Sequence, residues 1–252
     1  MATFSHADLE LESTLDNLDG AENYAHWILE MVAPFLGGEV LEVGAGHGTF
    51  TALLAQRQVR VVATDLSERC VGVLQDRFGG VANVEVVHGD INSVAERGPF
   101  NTVILINVLE HIEDDDAALR VLSGSLEAGG RLILWVPAFD ALYAEFDRKV
   151  GHFRRYERDG LTAQLSRAGF RIVEMRYANA LGAMAWWVVA RMLRGTPTRR
   201  TSVNLFDRYA VPVVKWLESR RPPPFGQSIF AVAAPCVQSG ATPSGLLHQS
   251  GP

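Results

Sequence analysis

Cysteine and lysine are scarce in this chain, and no apolar run is long. Cys70 and Cys236 are the only cysteines in 252 residues. Two cysteines cannot build a disulfide framework, and no C-x-x-C spacing marks a metal site. The expectation is two reduced thiols in an intracellular protein that holds no metal. The longest apolar run, LGAMAWWVVARML at 181–193, is interrupted by Arg191. It is shorter than the roughly 20 residues that a bilayer span needs. The first twenty residues are acidic and lack the charged-then-apolar order of a secretory signal. A soluble, cytoplasmic protein without a stable membrane span is therefore expected.

Basic charge is also missing from one end. No Lys or Arg precedes Arg57, whereas residues 1–56 carry nine acids. Residues 145–221 reverse this, with 16 basic and 7 acidic side chains. Of the chain's 23 basic residues 21 are Arg, a side chain that binds carboxylate and phosphate through paired hydrogen bonds. The net charge of −6 speaks against nucleic acid as a partner.

What remains is an ordinary globular composition, 48% hydrophobic and 21% charged, enough for a sizeable core without staples. Residues 1–236 read as one domain with a helical cap at 180–226, and 237–252 as a disordered polar tail. From 39 to 138 strands alternate with helices, the pattern of a parallel sheet covered on both faces. EVLEV (39–43), VRVVAT (59–64), VEVVHG (84–89), NTVILIN (101–107) and RLILWVP (131–137) read as strands. Helices are predicted at 48–57, 67–78 and 114–130, the last opening on acids at its positive dipole end and stopping at Gly129-Gly130. Beyond 138 the rhythm changes. An irregular aromatic and charged segment (138–157) precedes a helix at 158–168 and a strand at 170–178. Helices near 181–194 and 203–219 and a final strand at 227–234 complete the chain.

The first strand, turn and helix carry LEVGAGHGTF. Gly44, Gly46 and Gly48 there permit a tight turn and close approach of a ligand to the backbone. The helix that follows offers unpaired N–H groups. Asp65 stands at the end of the second strand, where an acid can bind ribose hydroxyls. Asp90 and Asn107 end the third and fourth strands, so the polar groups gather at the carboxyl edge of the sheet. The glycines run G-x-G-x-G, not the dinucleotide spacing G-x-G-x-x-G. Glu42, two residues before the first glycine, suits a cationic ligand and repels a pyrophosphate.

The set LEVGAGHG, TDLS, HGDI, NVLEHI and LEAGGRLILWVP, spanning 39–137, resembles the successive motifs of class I S-adenosylmethionine (SAM) dependent methyltransferases, bacterial small-molecule type. The resemblance implies a Rossmann-like α/β fold: a seven-stranded, mostly parallel sheet whose last strand is antiparallel, with a helical insertion before that strand. It implies SAM as cofactor and S-adenosylhomocysteine (SAH) as product. Glu42 and the glycine turn would hold the methionine part and Asp65 the ribose. Leu66, Asp90 and Ile91 would line the adenine, and Asn107 with Val108 would lie near the sulfonium. Tyr24 and Trp27 are candidates to close over the cofactor from an N-terminal helix.

For the acceptor, the richest segment is ALYAEFDRKVGHFRRYERDGL (141–161), similar to one found in a bacterial subgroup of these enzymes. His152 is the leading candidate for general base. His111, just past the fourth strand, is the second, and Tyr156 completes the catalytic candidates. Tyr143, Arg154, Arg155, Trp186 and Trp187 are candidates for binding a small acceptor, anionic or amphipathic. O-methylation leads. C-methylation of a prenyl phosphate-like substrate, with Trp186 or Trp216 facing a carbocation and Glu174 taking a proton, is the alternative. A SAM-binding protein without methyl transfer also stays open, as does a homodimer through the tryptophan pair. The N/D-P-P-Y/F motif of amino-methylating DNA enzymes is missing after the fourth strand.

Overall fold

The computed structural model describes residues 20–188 and 200–236. Seven strands form one sheet: β1 (Glu39–Val43), β2 (Arg60–Asp65), β3 (Val84–His88), β4 (Phe100–Ile106), β5 (Leu126–Pro137), β6 (Phe170–Ala178) and β7 (Ser228–Pro235). Their order is β3-β2-β1-β4-β5-β7-β6. β7 runs antiparallel to both β5 and β6, while the pairings of β1 through β5 are parallel. This is the expected Rossmann-like sheet with its antiparallel last strand. The order reverses between β1 and β4, and such a switch point opens a crevice at the carboxyl ends of the strands.

Strand residues alternate between two cores because successive side chains point to opposite faces. Leu41, Val62, Val103, Leu105, Leu132 and Leu134 pack on one face with Leu119, Leu122, Leu161 and Leu165. Those four leucines belong to two of the helices that cover the sheet, which in chain order are α1 (Glu22–Val32), α2 (Thr49–Ala55), α3 (Glu68–Phe78), α4 (Ile91–Ala95), α5 (Asp115–Gly124), α6 (Glu145–Lys149), α7 (Arg158–Arg167), α8 (Ala180–Trp187), α9 (Arg200–Leu205) and α10 (Val211–Arg220). Val40, Val61, Ile104, Ile133, Trp135 and Phe230 fill the other face with Trp27 and Ile28 of α1, Leu54, Leu74, Val211 and Val214.

Two readings need correction, and a third falls partly outside the described residues. The helix predicted at 114–130 stops at Gly124, because Leu126 already pairs with Phe100 and begins β5. Asp90 opens a short helix, α4, that the sequence reading passed over; its Oδ1 accepts from the Ser93 amide at 2.9 Å. The helix predicted at 181–194 is seen as Ala180–Trp187, and its remainder from 189 lies outside the described residues, as does the tail at 237–252.

The segment before β7 is fastened to the sheet by buried carboxylates that cap remote helices. α1 has no side-chain cap of its own. Asp207, 5% exposed, supplies one from 184 residues away: its oxygens accept from the Asn23 and Tyr24 amides at 3.1 and 2.8 Å. Glu218 does the same for α8, accepting from the Asn179 and Ala180 amides at 3.1 and 2.9 Å. Each pair satisfies N–H groups that a helix start leaves open. No helix among the described residues is long and apolar enough to cross a membrane.

Candidate functional site

The glycine turn sits where β1 meets the switch point. Gly44, Gly46 and Gly48 have φ of +69°, +56° and +82°, a region that side chains strain to reach. A Cβ on Gly44 would also lie 2.6 Å from a Val108 methyl. The turn is tied to β2: the Ala45 amide donates to the Thr64 carbonyl at 2.8 Å, and the Gly46 amide to Asp65 Oδ2 at 2.9 Å. Asp65 Oδ1 accepts from the Ser67 amide at 2.9 Å. A carboxylate has about four lone-pair sites, so Asp65 keeps acceptor capacity toward the crevice.

Glu42 is buried behind this turn at 4% exposure, its Oε2 accepting from the Thr51 hydroxyl at 2.6 Å. Burial pushes its carboxyl up to about 7, against a smaller opposing pull from Thr51. Leu66, beside Asp65, leaves its side chain 72% exposed, an uncovered apolar face at the strand end. Asp90 is exposed, Ile91 half-buried, and the Ser93 bonds hold the Asp90 carboxyl below the usual range. Asn107 takes a φ of +53° as β4 ends, with Val108 beside the glycine turn. These residues fit a SAM-like group. Among the described residues the buried Glu42 meets no cation, Leu66 leaves its apolar face uncovered, and Asp65 has acceptor sites beyond the two amides it takes. Tyr24 and Trp27, the candidates to close over the cofactor, pack against the sheet. Trp27 is 4% exposed in the core, and the Tyr24 ring meets Trp27 and Trp135 edge-on, each at 5.9 Å.

The second half of the site is built by the loop after β5. Gly151, with φ +84°, turns the chain back at the end of α6, so the His152 amide donates to the Asp147 carbonyl at 2.8 Å. The His152 ring then meets Asp147: Nδ1 lies 2.9 Å from Oδ1. Asp147 is fully buried and also takes two bonds from Arg155, at 2.9 and 3.2 Å, and one from the Ala144 amide at 2.8 Å. Burial would raise its carboxyl, but the His152 bond, the Arg155 charge and the Ala144 amide together bring it below the usual range. An ionised Asp147 fixes the proton on His152 Nδ1 and leaves Nε2 as an acceptor. Tyr143 donates from its hydroxyl to the His152 carbonyl at 2.7 Å.

A one-turn 3-10 segment after β4, Leu109–His111, faces this loop. The His111 and His152 rings lie edge to face with centroids 4.6 Å apart. Burial and the neighbouring His152 hold His111 down, to about 4, so its ring is neutral. Glu110 is fully buried, and neither of its oxygens has a hydrogen-bond partner among the described residues. Burial pushes its carboxyl up to about 8, only partly offset by its own amide and the Arg155 charge.

Several candidates have internal partners instead. The Tyr156 hydroxyl donates to Asp115 Oδ2 at 2.8 Å, and burial beside that carboxylate raises it, so Tyr156 stays protonated and fastens the loop to α5. Arg154 bonds Asp115 Oδ1 and the Glu113 carbonyl, each at 2.6 Å. Arg155 is buried against Asp147 and lies 5.1 Å over the Trp186 ring. Trp186 is itself buried, donating to the Leu142 carbonyl at 3.1 Å. Glu174 lies in mid-strand, ion-paired with Arg176 at 3.3 Å, away from the carboxyl edge. Of the tryptophan pair, Trp187 is the available one. It is half exposed and lines an apolar cavity of about 500 Å³ with Phe139, Leu142, Met184, Val188 and Phe225. Sequence reading named Asp147 within the 141–161 segment but gave it no role of its own, and it did not foresee that Glu110 is buried.

Comparison with known proteins agrees with this frame. Residues 17–175 match a family described as a methyltransferase domain. The chain is 31% identical over 147 residues to a ubiquinone biosynthesis O-methyltransferase of Xanthomonas euvesicatoria pv. vesicatoria, covering 53% of this chain and 62% of that protein. It is 34% identical over 104 residues to a demethylmenaquinone methyltransferase of Clavibacter sepedonicus, covering 41% and 42%. The chain thus spans less than two thirds of the length of these relatives. A SAM-dependent methyltransferase from Archaeoglobus fulgidus has a similar fold, with TM-score 0.54 at 15% identity over 82% of this chain and 90% of that one. The match runs from before α1 into β6 and takes in the glycine turn, Asp65 and the histidine loop, so the chain belongs to the methyltransferase-domain family and has its Rossmann-like fold.

Proposed function

We propose that the protein transfers a methyl group from S-adenosylmethionine to an oxygen of a small acceptor with an apolar body. One observation carries the acceptor side: the loop that pairs His152 with Asp147 also lends Phe139 and Leu142 to the apolar cavity. When bound, S-adenosylmethionine supplies a methyl group made electrophilic by the adjoining sulfonium. Asp65 would accept from the ribose hydroxyls, and Glu42 with the glycine turn would hold the amino-acid end. Leu66, Asp90 and Ile91 would border the adenine, with Asn107 and Val108 nearest the reacting end. The protein's remaining task is to orient the acceptor and remove its proton. His152 is oriented for that by Asp147, with Nε2 left to accept; His111, held neutral beside it, adds a second acceptor nitrogen. The cavity, lined in part by the same loop, would take the apolar body of the acceptor. Relatives named for ubiquinone-biosynthesis O-methylation and demethylmenaquinone methylation support a small-molecule acceptor.

The test is transfer of labelled methyl from SAM to a panel of phenols, enols and hydroxy acids of graded apolar size. Label on oxygen, with His152→Asn losing turnover while keeping SAH affinity, is the expected result. Transfer to carbon or nitrogen alone, or full turnover in the folded His152→Asn variant, would overturn the reading.

A further inference from the structure

We propose that Glu110, His111 and His152 form a site for one divalent transition-metal ion, leaving a coordination position open to an oxygen of the acceptor. One ligand atom from each residue can be chosen so that all lie within 4.8 Å of one another. His152 Nε2 and Glu110 Oε1 are 3.9 Å apart. Tetrahedral zinc with bonds of about 2.0–2.2 Å sets ligand atoms roughly 3.4 Å apart, so side-chain adjustments of about an ångström close the set.

Glu110 makes the strongest case. Its carboxyl is fully buried just after β4, and among the described residues neither oxygen has a hydrogen-bond partner beyond the weak pull of its own amide. The nearby guanidinium of Arg155 is bonded to Asp147 and to the Ala138 carbonyl instead. A buried carboxyl with no donor is costly, and a cation between it and the two rings removes that cost. The histidines are arranged for the same purpose. Asp147 holds His152 Nδ1 and so turns the Nε2 lone pair toward Glu110, the carboxylate–histidine relation that orients metal-bound imidazoles. Two histidines and one carboxylate form a three-ligand set that leaves room for an exogenous oxygen, as catalytic zinc sites do. Sequence reading named no metal ligands, since the members of this set come from two segments, 110–111 and 152, brought together by the turn at Gly151. With the ion in place, an acceptor O–H would break with its electron pair staying on the metal-held oxygen and its proton leaving to water. His152 then ligates the ion, which takes over the task of easing the proton off the acceptor; without the ion His152 is the base.

That use of the ion rests on the methyl-transfer reading; metal binding itself is read without donor or acceptor. The chain, freed of metal with a chelator, is titrated with zinc by calorimetry and with cobalt(II) by visible absorption. The expected result is one equivalent bound, with the cobalt bands of a four- or five-coordinate ion. Glu110→Gln and His152→Asn should each weaken zinc by at least ~100-fold, and Asp147→Asn by about 10–100-fold, as loss of an outer-shell partner does. Circular dichroism and the melting temperature of each variant show that it is folded. Absence of a saturable equivalent, or wild-type zinc affinity in both folded ligand variants, would overturn the site. Zinc binding without SAH binding would sink methyl transfer and the ion's use in it, and leave the metal site standing.

Discussion

Glu42 carries a proton in the free protein that a cationic ligand should expel. It is 4% exposed, and burial lifts its carboxyl from 4.5 to about 7. At 1.36 kcal/mol per unit this disfavours the buried charge by ~3 kcal/mol relative to the unfolded chain. The folded form holds the proton more tightly than the unfolded one. The contribution is therefore full below the unfolded value and is lost as pH rises through about 7. An ammonium group placed against Glu42 reverses the preference and drives the proton off. At pH 6.5 roughly three quarters of the sites are protonated, so SAH binding should release roughly 0.7 proton. Calorimetry in buffers of different ionisation enthalpy measures this number as the slope of the observed heat. Glu42→Gln, which keeps the size of the side chain and removes its charge, should abolish that share of the slope, weaken SAH, and stabilise the free protein above pH 7. A slope of zero at pH 6.5, or the wild-type slope in Glu42→Gln, would refute the placement of the ligand's amino group at Glu42.

Asp65→Ala removes the acceptor of the Gly46 amide as well as the ribose contact proposed above. With charged hydrogen bonds contributing ~1.5–3 kcal/mol each, SAH affinity should fall at least ~100-fold, and an unchanged Kd in folded protein would refute the assignment. Asp207→Ala strips two part-buried amides of α1 of their partner, at ~2–4 kcal/mol. Its melting temperature should drop by roughly 5–12 °C, and a drop below ~2 °C would show that the contact does not anchor the helix. The two neighbouring tryptophans should separate: Trp187→Ala raises the acceptor KM with little change in stability, whereas buried Trp186→Ala costs ~3–5 kcal/mol by urea unfolding. Equal effects of the two on unfolding would contradict the burial seen here.

The cofactor side was legible because its signals are local. A strand, a glycine turn and a helix lie within LEVGAGHGTF, and Asp65, Asp90 and Asn107 mark strand ends one after another. The β5 boundary was misread because LEAGG continues a helical pattern, and only the pairing of Leu126 with Phe100 assigns it to the sheet. The roles of Asp207 and Glu218 could not be read at all, since the amides they cap lie 184 and 39 residues away. The same holds for the acceptor side. His152 was visible as a histidine after a glycine. That it would meet Asp147, His111 and an unpartnered Glu110 depends on the positive φ of Gly151 and on the packing of the loop against the end of β4. Arg154 and Arg155 looked free for an anionic acceptor because their acidic partners, Asp115 and Asp147, lie at helix starts that only the fold brings near.

The most direct test of the central claim is calorimetric titration of the purified protein with SAH, with NAD as control. The account predicts a single site with micromolar affinity for SAH and no saturable heat with NAD. NAD binding, or folded protein that takes up no SAH at millimolar concentration, would contradict it.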